Sequence, residues 1–350
     1  MNEINYNYKL KLKVLTPLHI GAGKEKDWIK GIDYIICNGC LYIFNQKKLF
    51  EHLNKNQLLE EYINLISKNH YSEIEKFFRD NFYELQSISD YFYEDIGNTN
   101  TEIKSFIRDG LGKPYIPGSS IKGAIRSVLF NYIFNGKKLY NTYITFEKFN
   151  LEKKQKLSYE TNNKEEFLKA IVDKNCKIKV DNRPTLESSK IIDLALGNLE
   201  KSIMRFIRPY DIAIDDKFLT ILNVELYNVK DPENKISSET KNIGITIECL
   251  YPFDDTPTFD FQLNIAKPLI NIIKSKYNKV NNLPKYKDDV FKNDKNETIH
   301  HLFNIINEYT YHHIQKEIEF FKKYTHKDNI DENIIKKLKD LAEKGKIEYN

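Results

Sequence analysis

The sequence predicts an α+β fold with mainly antiparallel sheets, and three observations support this class. Short segments in which apolar and polar residues alternate, as in half-buried strands, occur near the start of the chain and again from about residue 203. Longer segments with apolar residues at helical spacing lie at residues 46 to about 95 and from about 266 onward. Strand and helix patterns do not follow the βαβ order that builds parallel sheets, which favours antiparallel pairing.

The composition limits the classes of protein to which the chain belongs. With 350 residues it can bury a large core and is long enough for two domains. Its 54 lysines and arginines only slightly outnumber its 50 acidic residues, so a nucleic-acid partner would need a local basic patch. The four cysteines, together with the lack of a signal-peptide pattern or a long apolar run, predict a reduced, cytoplasmic protein with no membrane partner.

The first elements are predicted to be strands joined by tight turns. Residues 8–14 alternate as a strand does, and Thr16–Pro17 ends that strand. The segments 34–37 and 40–44 flank Asn38–Gly39, which is the strongest short signal for a β-hairpin. Because this turn already explains the C-x-x-C spacing of the flanking cysteines, we interpret them as cross-strand partners and predict no metal site.

A loop that contains two glycines, Leu18–Lys24, follows the first strand. Gly21 and Gly23 allow close approach of a ligand, and Lys24 adds a positive charge. A nucleotide-binding P-loop would have serine or threonine where Glu25 stands, so an NTPase is not supported. The loop suits a sugar-phosphate chain as well as it suits an ordinary turn.

The middle of the chain is predicted to consist of insertions and further strands. We interpret residues 46 to about 95 as a helical insertion, and the polar, weakly periodic residues 140 to 200 as an insertion that is partly helical. Strand patterns then return at residues 203–208, 220–226, 244–250 and 258–263. We therefore expect a body over residues 1–265 and a helical C-terminal region over residues 266–350.

The most informative segment is Pro114–Arg126. A short apolar strand ends there at a proline and a glycine, and Ser119 and Ser120 are then of the residue type that caps a helix. Lys122 and Arg126 lie four residues apart, so they are neighbours on the surface of the helix that follows. Free N–H groups, hydroxyls and cations at a helix N-terminus predict a phosphate site, although an ordinary capped helix with a basic edge has the same pattern.

Two residues are weaker candidates for catalysis. His19 would act as the general base of an RNA-cleaving enzyme, whereas a hydrogen-bonded structural histidine is the simpler interpretation. Asp33 lies in a loop, where it would ligate a cation or remain a solvated acid. The histidines of the C-terminal helix lack the spacing of a helical metal site, so neither a metal nor a cofactor is predicted.

Three segments taken together resemble the RAMP superfamily of CRISPR proteins, namely Thr16–Gly23, Ile107–Gly110 and Pro114–Arg126. The helical insertion and the later segment Arg205–Asp211 are similar to one branch of this family. That branch comprises the fifth subunits of type III-A Csm effector complexes, which lie near the 3′ terminus of the CRISPR RNA (crRNA). The resemblance extends over most of the chain.

The resemblance implies an RRM-like (ferredoxin-like) core with insertions, which binds crRNA through backbone contacts and takes part in crRNA maturation and antiviral defence. Its expected partners are crRNA and other Csm-complex subunits. The residues that it places against RNA are Gly21, Gly23, Ser119, Ser120, Lys122 and Arg126, to which we add Lys24 and Arg108 on charge and placement. Family members usually end in a glycine-rich loop and a last strand, whereas this chain has no glycine between Gly244 and Gly345.

Three functions remain open. The first is a non-catalytic subunit that holds crRNA, and the second is an endoribonuclease that acts on CRISPR RNA or target RNA through His19 or Asp33. The third is an assembly subunit whose helices contact other proteins while RNA touches it little. The Pro114–Arg126 segment favours the first, because its residues are suited to hold a phosphate and nothing around them indicates cleavage.

Overall fold

A computed structural model describes the following parts of the chain: residues 5–68, 70–82, 84–94, 102–137, 139, 144–150, 155–160, 176–180, 183–186, 192–193, 195–198, 201–227, 240–252, 257–266, 285–323 and 330–346. Contacts along the chain define two compact units. The first unit is formed by Met1–Lys11, Pro117–Asp211 and Asp260–Asn350, and the second by Leu12–Ile116 and Ile212–Phe259. The division at residue 265 that the sequence indicated stays a prediction.

The predicted α+β class is confirmed. The strands are β1 (Tyr6–Lys13), β2 (Trp28–Ile29), β3 (Tyr34–Cys37), β4 (Cys40–Phe44), β5 (Ser89–Tyr93), β6 (Glu102–Lys104), β7 (Tyr115–Ile116), β8 (Ile144–Asn150), β9 (Gln155–Glu160), β10 (Cys176–Val180), β11 (Arg183–Leu186), β12 (Ile207–Pro209), β13 (Ile212–Ala213), β14 (Leu219–Tyr227), β15 (Thr240–Leu250) and β16 (Thr258–Ile265). The helices are α1 (Gln46–Lys55), α2 (Leu59–Ser67), α3 (Tyr71–Asn81), α4 (Gly118–Gly136), α5 (Lys287–Val290), α6 (Lys295–Lys323) and α7 (Ile330–Lys344).

The core of the first unit lies between a small sheet and two helices. β16 is the middle strand of this sheet, with β1 on one side and β12 on the other. β12 runs antiparallel to β16, with Ile207 opposite Ile265. α4 packs against β12 and α6, and the side chains of Leu129 on α4 and Leu302 on α6 are almost completely buried. Together with Ile125, Val128 and Ile133, Leu129 forms an apolar face of α4 that the core covers.

The polar insertion differs from its prediction. Its described strands form a four-stranded antiparallel sheet in the order β11-β10-β8-β9 rather than helices. Apolar residues occupy alternate positions in β8 and β10, as at Phe146 and its cross-strand partner Ile178. Polar and lysine-rich neighbours hid this two-residue period, so the sequence did not predict these strands, while a partly helical insertion over residues 140 to 200 stays a prediction.

Three sheets make up the strands described in the second unit. One has the order β14-β15-β6-β2, another has the order β3-β4-β5, and β7 pairs with β13. β6 and β15 run parallel, whereas β14 and β15 form a long antiparallel pair. The pairing is thus mainly antiparallel with a parallel exception.

The predicted hairpin is confirmed. β3 and β4 pair with Cys37 directly opposite Cys40, and both thiols are free. In the turn between them, φ is 53° at Asn38 and 77° at Gly39. Glycine adopts this left-handed conformation without steric cost and asparagine tolerates it, which explains why this dipeptide closes the hairpin.

The helical insertion packs on this hairpin. Buried side chains of α1 and α3, such as Leu49 and Phe78, join Ile35 and Phe44 of the strands in one apolar cluster. The end of the insertion differs from its prediction, because its last residues form β5 and pair with β4. Tyr, Phe and Tyr within β5 are typical of strands, so this part of the helical interpretation is wrong.

The later elements follow the sequence pattern with one exception. Three strands expected between residues 220 and 263 are confirmed as β14, β15 and β16. The strand expected at 203–208 begins instead as a 3₁₀ turn over Ile203–Phe206, where the hydroxyl of Ser202 accepts a hydrogen bond from the N–H of Met204. The C-terminal helices are confirmed as α5, α6 and α7, and none of the described helices is long and apolar enough to cross a membrane.

Candidate nucleic-acid interface

The N-terminus of α4 is capped by a distant residue. The backbone N–H of Gly118 donates a 2.7 Å hydrogen bond to Oδ1 of Asp211, and Pro117 is the N-cap residue. The side chains of Ser119 and Ser120 therefore lie in the first turn, exposed, and make no capping bond. The predicted capping role of the two serines is wrong because the helix begins at Gly118, two residues earlier than a cap at Ser119 requires.

One backbone donor at this helix end stays available. The N–H groups of Ser120 and Ile121 both donate to the carbonyl oxygen of Pro117, at 2.9 and 3.3 Å. Within the described part of the chain the N–H of Ser119 has no such partner, and the first turn contains no acidic residue. This end of α4 therefore combines a free donor with the positive end of the helix dipole.

A close backbone contact fixes this helix end against β12. A Cβ atom at Gly118 would overlap the carbonyl oxygen of Pro209 and lie 2.9 Å from its carbonyl carbon. Only glycine allows α4 to approach the strand this closely. The contact brings the first turn of α4 next to the segment Arg208–Asp211.

The cation cluster near this helix end consists of Lys122, Arg126 and Arg208. Lys122 is half-buried and Arg126 is exposed on the next turn of α4, while Arg208 projects from β12 and is exposed. Burial and the nearby positive charge of Arg208 lower the pKa of Lys122. Across the described residues, neither Lys122 nor Arg126 forms an ion pair with a carboxylate. Positive charges that repel one another favour the binding of an anion, although the carboxylate of Asp211 already occupies the N–H of Gly118 at this helix end.

Sequence reasoning missed two residues of this cluster. Arg208 and Tyr210 lie in the segment Arg205–Asp211, which was noted for its resemblance rather than for its chemistry. Tyr210 is 53% exposed, so its ring is available for stacking. The sequence signal for these two residues was an arginine and a tyrosine on either side of Pro209. Arg208 and Pro209 belong to β12, the strand that pairs with β16.

The glycine loop lies in the second unit. The N–H of Ala22 donates to the carbonyl oxygen of Ser105 at 3.2 Å, while Gly23 has φ of 101° and open space where a side chain would be. Lys24 is exposed and begins a short 3₁₀ turn. Gly21 bridges to Phe106. The loop thus presents a charged, open turn on a backbone that is held in place.

Arg108 has partners within the second unit. Its guanidinium forms ion pairs with Asp216 and Glu248, and it lies 4.4 Å from the centre of the Tyr91 ring. It also donates a 3.0 Å hydrogen bond to the carbonyl oxygen of Gly112. These contacts hold the side chain inside the unit, so contact of Arg108 with RNA stays a prediction.

The carboxylate of Glu248 is the centre of a buried polar network. Its side chain is completely buried and accepts hydrogen bonds from the hydroxyl of Tyr93 and from the N–H of Phe106, the latter at 2.7 Å. Burial raises the pKa of Glu248, while Arg108 and the two hydrogen-bond donors act in the opposite direction. A glutamate between Ile247 and a cysteine in an apolar strand was the sequence signal for this network.

The two catalytic candidates occupy structural positions. Nδ1 of His19 lies 2.7 Å from the carbonyl oxygen of Glu248. Asp33 accepts hydrogen bonds from the backbone N–H of Ile29 and from Nε2 of Gln46, and burial raises its pKa. No hydrogen bond joins His19 to Asp33, and the described residues contain no cluster of three or more ligands that would hold a metal ion.

Comparisons with known proteins agree with this description. Residues 11–347 match the model of the RAMP superfamily. The chain is 31% identical over 159 residues to the CRISPR system Cms protein Csm5 of Streptococcus thermophilus, which covers 41% of this chain and 44% of that protein. It is also 31% identical over 134 residues to the Csm5 protein of Methanocaldococcus jannaschii, covering 36% of this chain and 30% of that protein. The chain thus aligns with less than half the length of these relatives.

Two solved structures share the fold. The crystal structure of T. onnurineus Csm5 has a TM-score of 0.58 and 18% identity, covering 93% of this chain and 86% of that one. A chain of the cryo-EM structure of a type III-A Csm-crRNA-target RNA ternary complex has a TM-score of 0.64 and 16% identity, covering 95% of this chain and 80% of that one. Because the superfamily model spans nearly the whole sequence, this chain belongs to the RAMP superfamily.

Proposed function

We propose that this chain is a crRNA-binding subunit of a type III-A CRISPR effector complex in the cytoplasm, where it takes part in crRNA maturation and antiviral defence. The observation that carries the proposal is the cation cluster at the N-terminus of α4, where burial and the charge of Arg208 lower the pKa of Lys122 and where Lys122 forms no ion pair among the described residues. Similarity to Csm5 proteins supports the same assignment.

The chemistry of this cluster suits a phosphodiester. The N–H of Ser119 and the exposed hydroxyls of Ser119 and Ser120 supply hydrogen-bond donors, and Lys122 and Arg208 supply charge. These groups bind the sugar-phosphate chain and do not read a base. The cluster would therefore hold a guide strand of any sequence, as a subunit that serves many different crRNAs must.

Each unit contributes one further feature to the proposed RNA binding, the glycine loop in the second unit and Tyr210 in the first. The open, lysine-bearing turn at Gly21–Lys24 would contact another part of the sugar-phosphate chain. The exposed ring of Tyr210 would stack on a base next to the cation cluster. We also propose that the sheet β1-β16-β12 with α4 is the RRM-like core of the family fold, since this sheet carries both β12 and the packing face of α4.

The first prediction concerns binding affinity. The double variant Lys122→Ala/Arg208→Ala is expected to weaken the binding of single-stranded RNA and to reduce the slope of log K against log salt by about 1.4, because each lost phosphate contact contributes about 0.7. Filter binding over a salt series measures this slope. The matched control is Lys47→Ala/Lys48→Ala on α1, which removes the same charge from an exposed surface. Equal slopes in the two double variants would place the RNA site elsewhere.

The second prediction concerns cleavage. We propose that the protein holds RNA without cutting it, because Nδ1 of His19 is engaged by a backbone carbonyl and the carboxylate of Asp33 already accepts hydrogen bonds from two donors. Purified protein with labelled RNA and Mg²⁺ is expected to give no more cleavage than His19→Ala or Asp33→Ala. Cleavage that disappears in either variant would instead establish the endoribonuclease alternative.

A co-purification experiment tests the proposed partners. The tagged chain, expressed with its genomic neighbours, is expected to carry other Csm-complex subunits and a short RNA with a uniform 5′ end. Deleting this chain should change the length of the RNA that remains with the other subunits. RNA crosslinks that fall only on neighbouring subunits would favour a purely structural role.

A further inference from the structure

A second candidate surface of the first unit lies between the C-terminal half of α4 and the middle of α6. There a cleft of about 470 Å³ is lined by residues 131–136 of one helix and residues 305–316 of the other. Its volume is in the range of about 300–1,000 Å³ that small-ligand sites occupy. The cleft contains none of the residues of the cation cluster at the other end of α4.

One wall of the cleft is aromatic. Tyr309 and His313 lie one helical turn apart on α6, and their ring planes are within 8° of parallel with centroids 6.2 Å apart. His313 is exposed and Tyr309 is half-buried, so both rings present part of their faces to solvent. Parallel ring faces in a cleft favour the stacking of another planar ring.

The remaining wall supplies hydrogen-bonding groups and a positive charge. Nδ2 of Asn131 donates to the carbonyl oxygen of Ser127 at 3.0 Å, which leaves its side-chain oxygen as an acceptor. In the described regions, the side-chain amide of Asn135 has no hydrogen-bond partner. The side chains of Glu308 and Lys316 form no ion pair there. Amide and carboxylate groups recognise the edges of bases, and a lysine binds phosphate.

We propose that this cleft binds an unstacked nucleobase of single-stranded RNA. The base stacks on Tyr309 and His313, while Asn135 and Glu308 contact its edge and Lys316 contacts its phosphate. This inference rests on the proposed RNA-binding function and adds base contacts to it. Among the described residues, the unpaired Lys316 and the free hydrogen-bonding groups of Asn135 and Glu308 favour a nucleotide, and a protein partner is an alternative outcome of the test.

The test measures the affinity of the protein for two probes. One probe is a single-stranded RNA, and the other is the same ribose-phosphate chain without its bases. Stacking of a base contributes enough that the wild type should bind the base-bearing probe about ten-fold more tightly. In the double variant Tyr309→Leu/His313→Leu this preference should fall to the part that stacking on Tyr210 contributes. The control is Tyr311→Leu, since Tyr311 is exposed on the same helix but does not line the cleft. Circular dichroism confirms that each variant is folded.

The outcomes separate this inference from the proposed function. An unchanged preference for bases in the double variant overturns the base site, while loss of affinity in Lys122→Ala/Arg208→Ala still supports the phosphate cluster. Failure of the wild type to bind either probe overturns both. If the double variant keeps its RNA affinity and preference but loses a co-purifying protein subunit, the cleft is a protein interface and the base site is rejected.

Discussion

Replacing Glu248 with alanine is expected to lower the free energy of unfolding by about 3–5 kcal/mol, the range found when one partner of a buried ion pair is removed. The carboxylate is completely buried and accepts hydrogen bonds from Arg108, Tyr93 and the N–H of Phe106. Without it, the guanidinium keeps its charge in a site where only 14% of its side chain is exposed. The two other donors are also left without this acceptor, and each buried unpaired group costs about 1–3 kcal/mol.

Urea unfolding followed by circular dichroism measures this loss. The matched control is Asp216→Ala, which removes the other carboxylate bound to Arg108 but whose side chain is 46% exposed. We expect this control to cost about 0–1 kcal/mol, as exposed ion pairs do. The double variant Glu248→Leu/Arg108→Met should recover much of the stability, because it removes both charges together. Equal losses of unfolding free energy in Glu248→Ala and Asp216→Ala would show that the buried carboxylate stabilises the protein no more than the exposed one.

Replacing Gly118 with alanine is expected to be the second most damaging change. The added Cβ would overlap the backbone oxygen of Pro209, which cannot rotate away as a side chain would. Overpacking of this kind costs about 1–3 kcal/mol. The start of α4 would move away from β12, so the hydrogen bond from Gly118 to Asp211 would weaken and RNA affinity would fall with stability.

A second glycine of the same helix provides the control. Gly123 has open space where a side chain would be, so Gly123→Ala should stabilise α4 by about 0.5–1 kcal/mol and leave RNA binding unchanged. Thermal unfolding and filter binding on both variants make the comparison. If Gly118→Ala is as stable as Gly123→Ala and binds RNA equally well, the close contact does not position the cation cluster.

Local signals in the sequence predicted local structure well. The Asn38–Gly39 turn is specified by the φ preferences of two adjacent residues, and the start of α4 by the Pro117–Gly118 pair that ends the preceding strand. Both are confirmed because neither depends on distant parts of the chain. The strands of the polar insertion were missed because lysine-rich neighbours diluted their short alternating pattern.

The candidate site was only partly predictable because its important contacts join residues that are distant in sequence. Asp211 caps a helix that begins 93 residues earlier, and Glu248 pairs with an arginine 140 residues away. No periodicity or spacing rule detects such pairs. The sequence did identify Lys122, but it could not show that Arg208 approaches it and lowers its pKa.

The position of Asp211 has an evolutionary consequence. Asp211, which follows β12, caps the start of α4 at Gly118. In the sequence, the strands of the four-stranded sheet lie between α4 and β12. Length changes between the strands of that sheet need not move the phosphate-binding groups, whereas the flanking residues Leu139 and Leu196 belong to the buried core and are constrained. A fluorescent or affinity label inserted between two strands of this sheet is therefore expected to leave RNA binding unchanged.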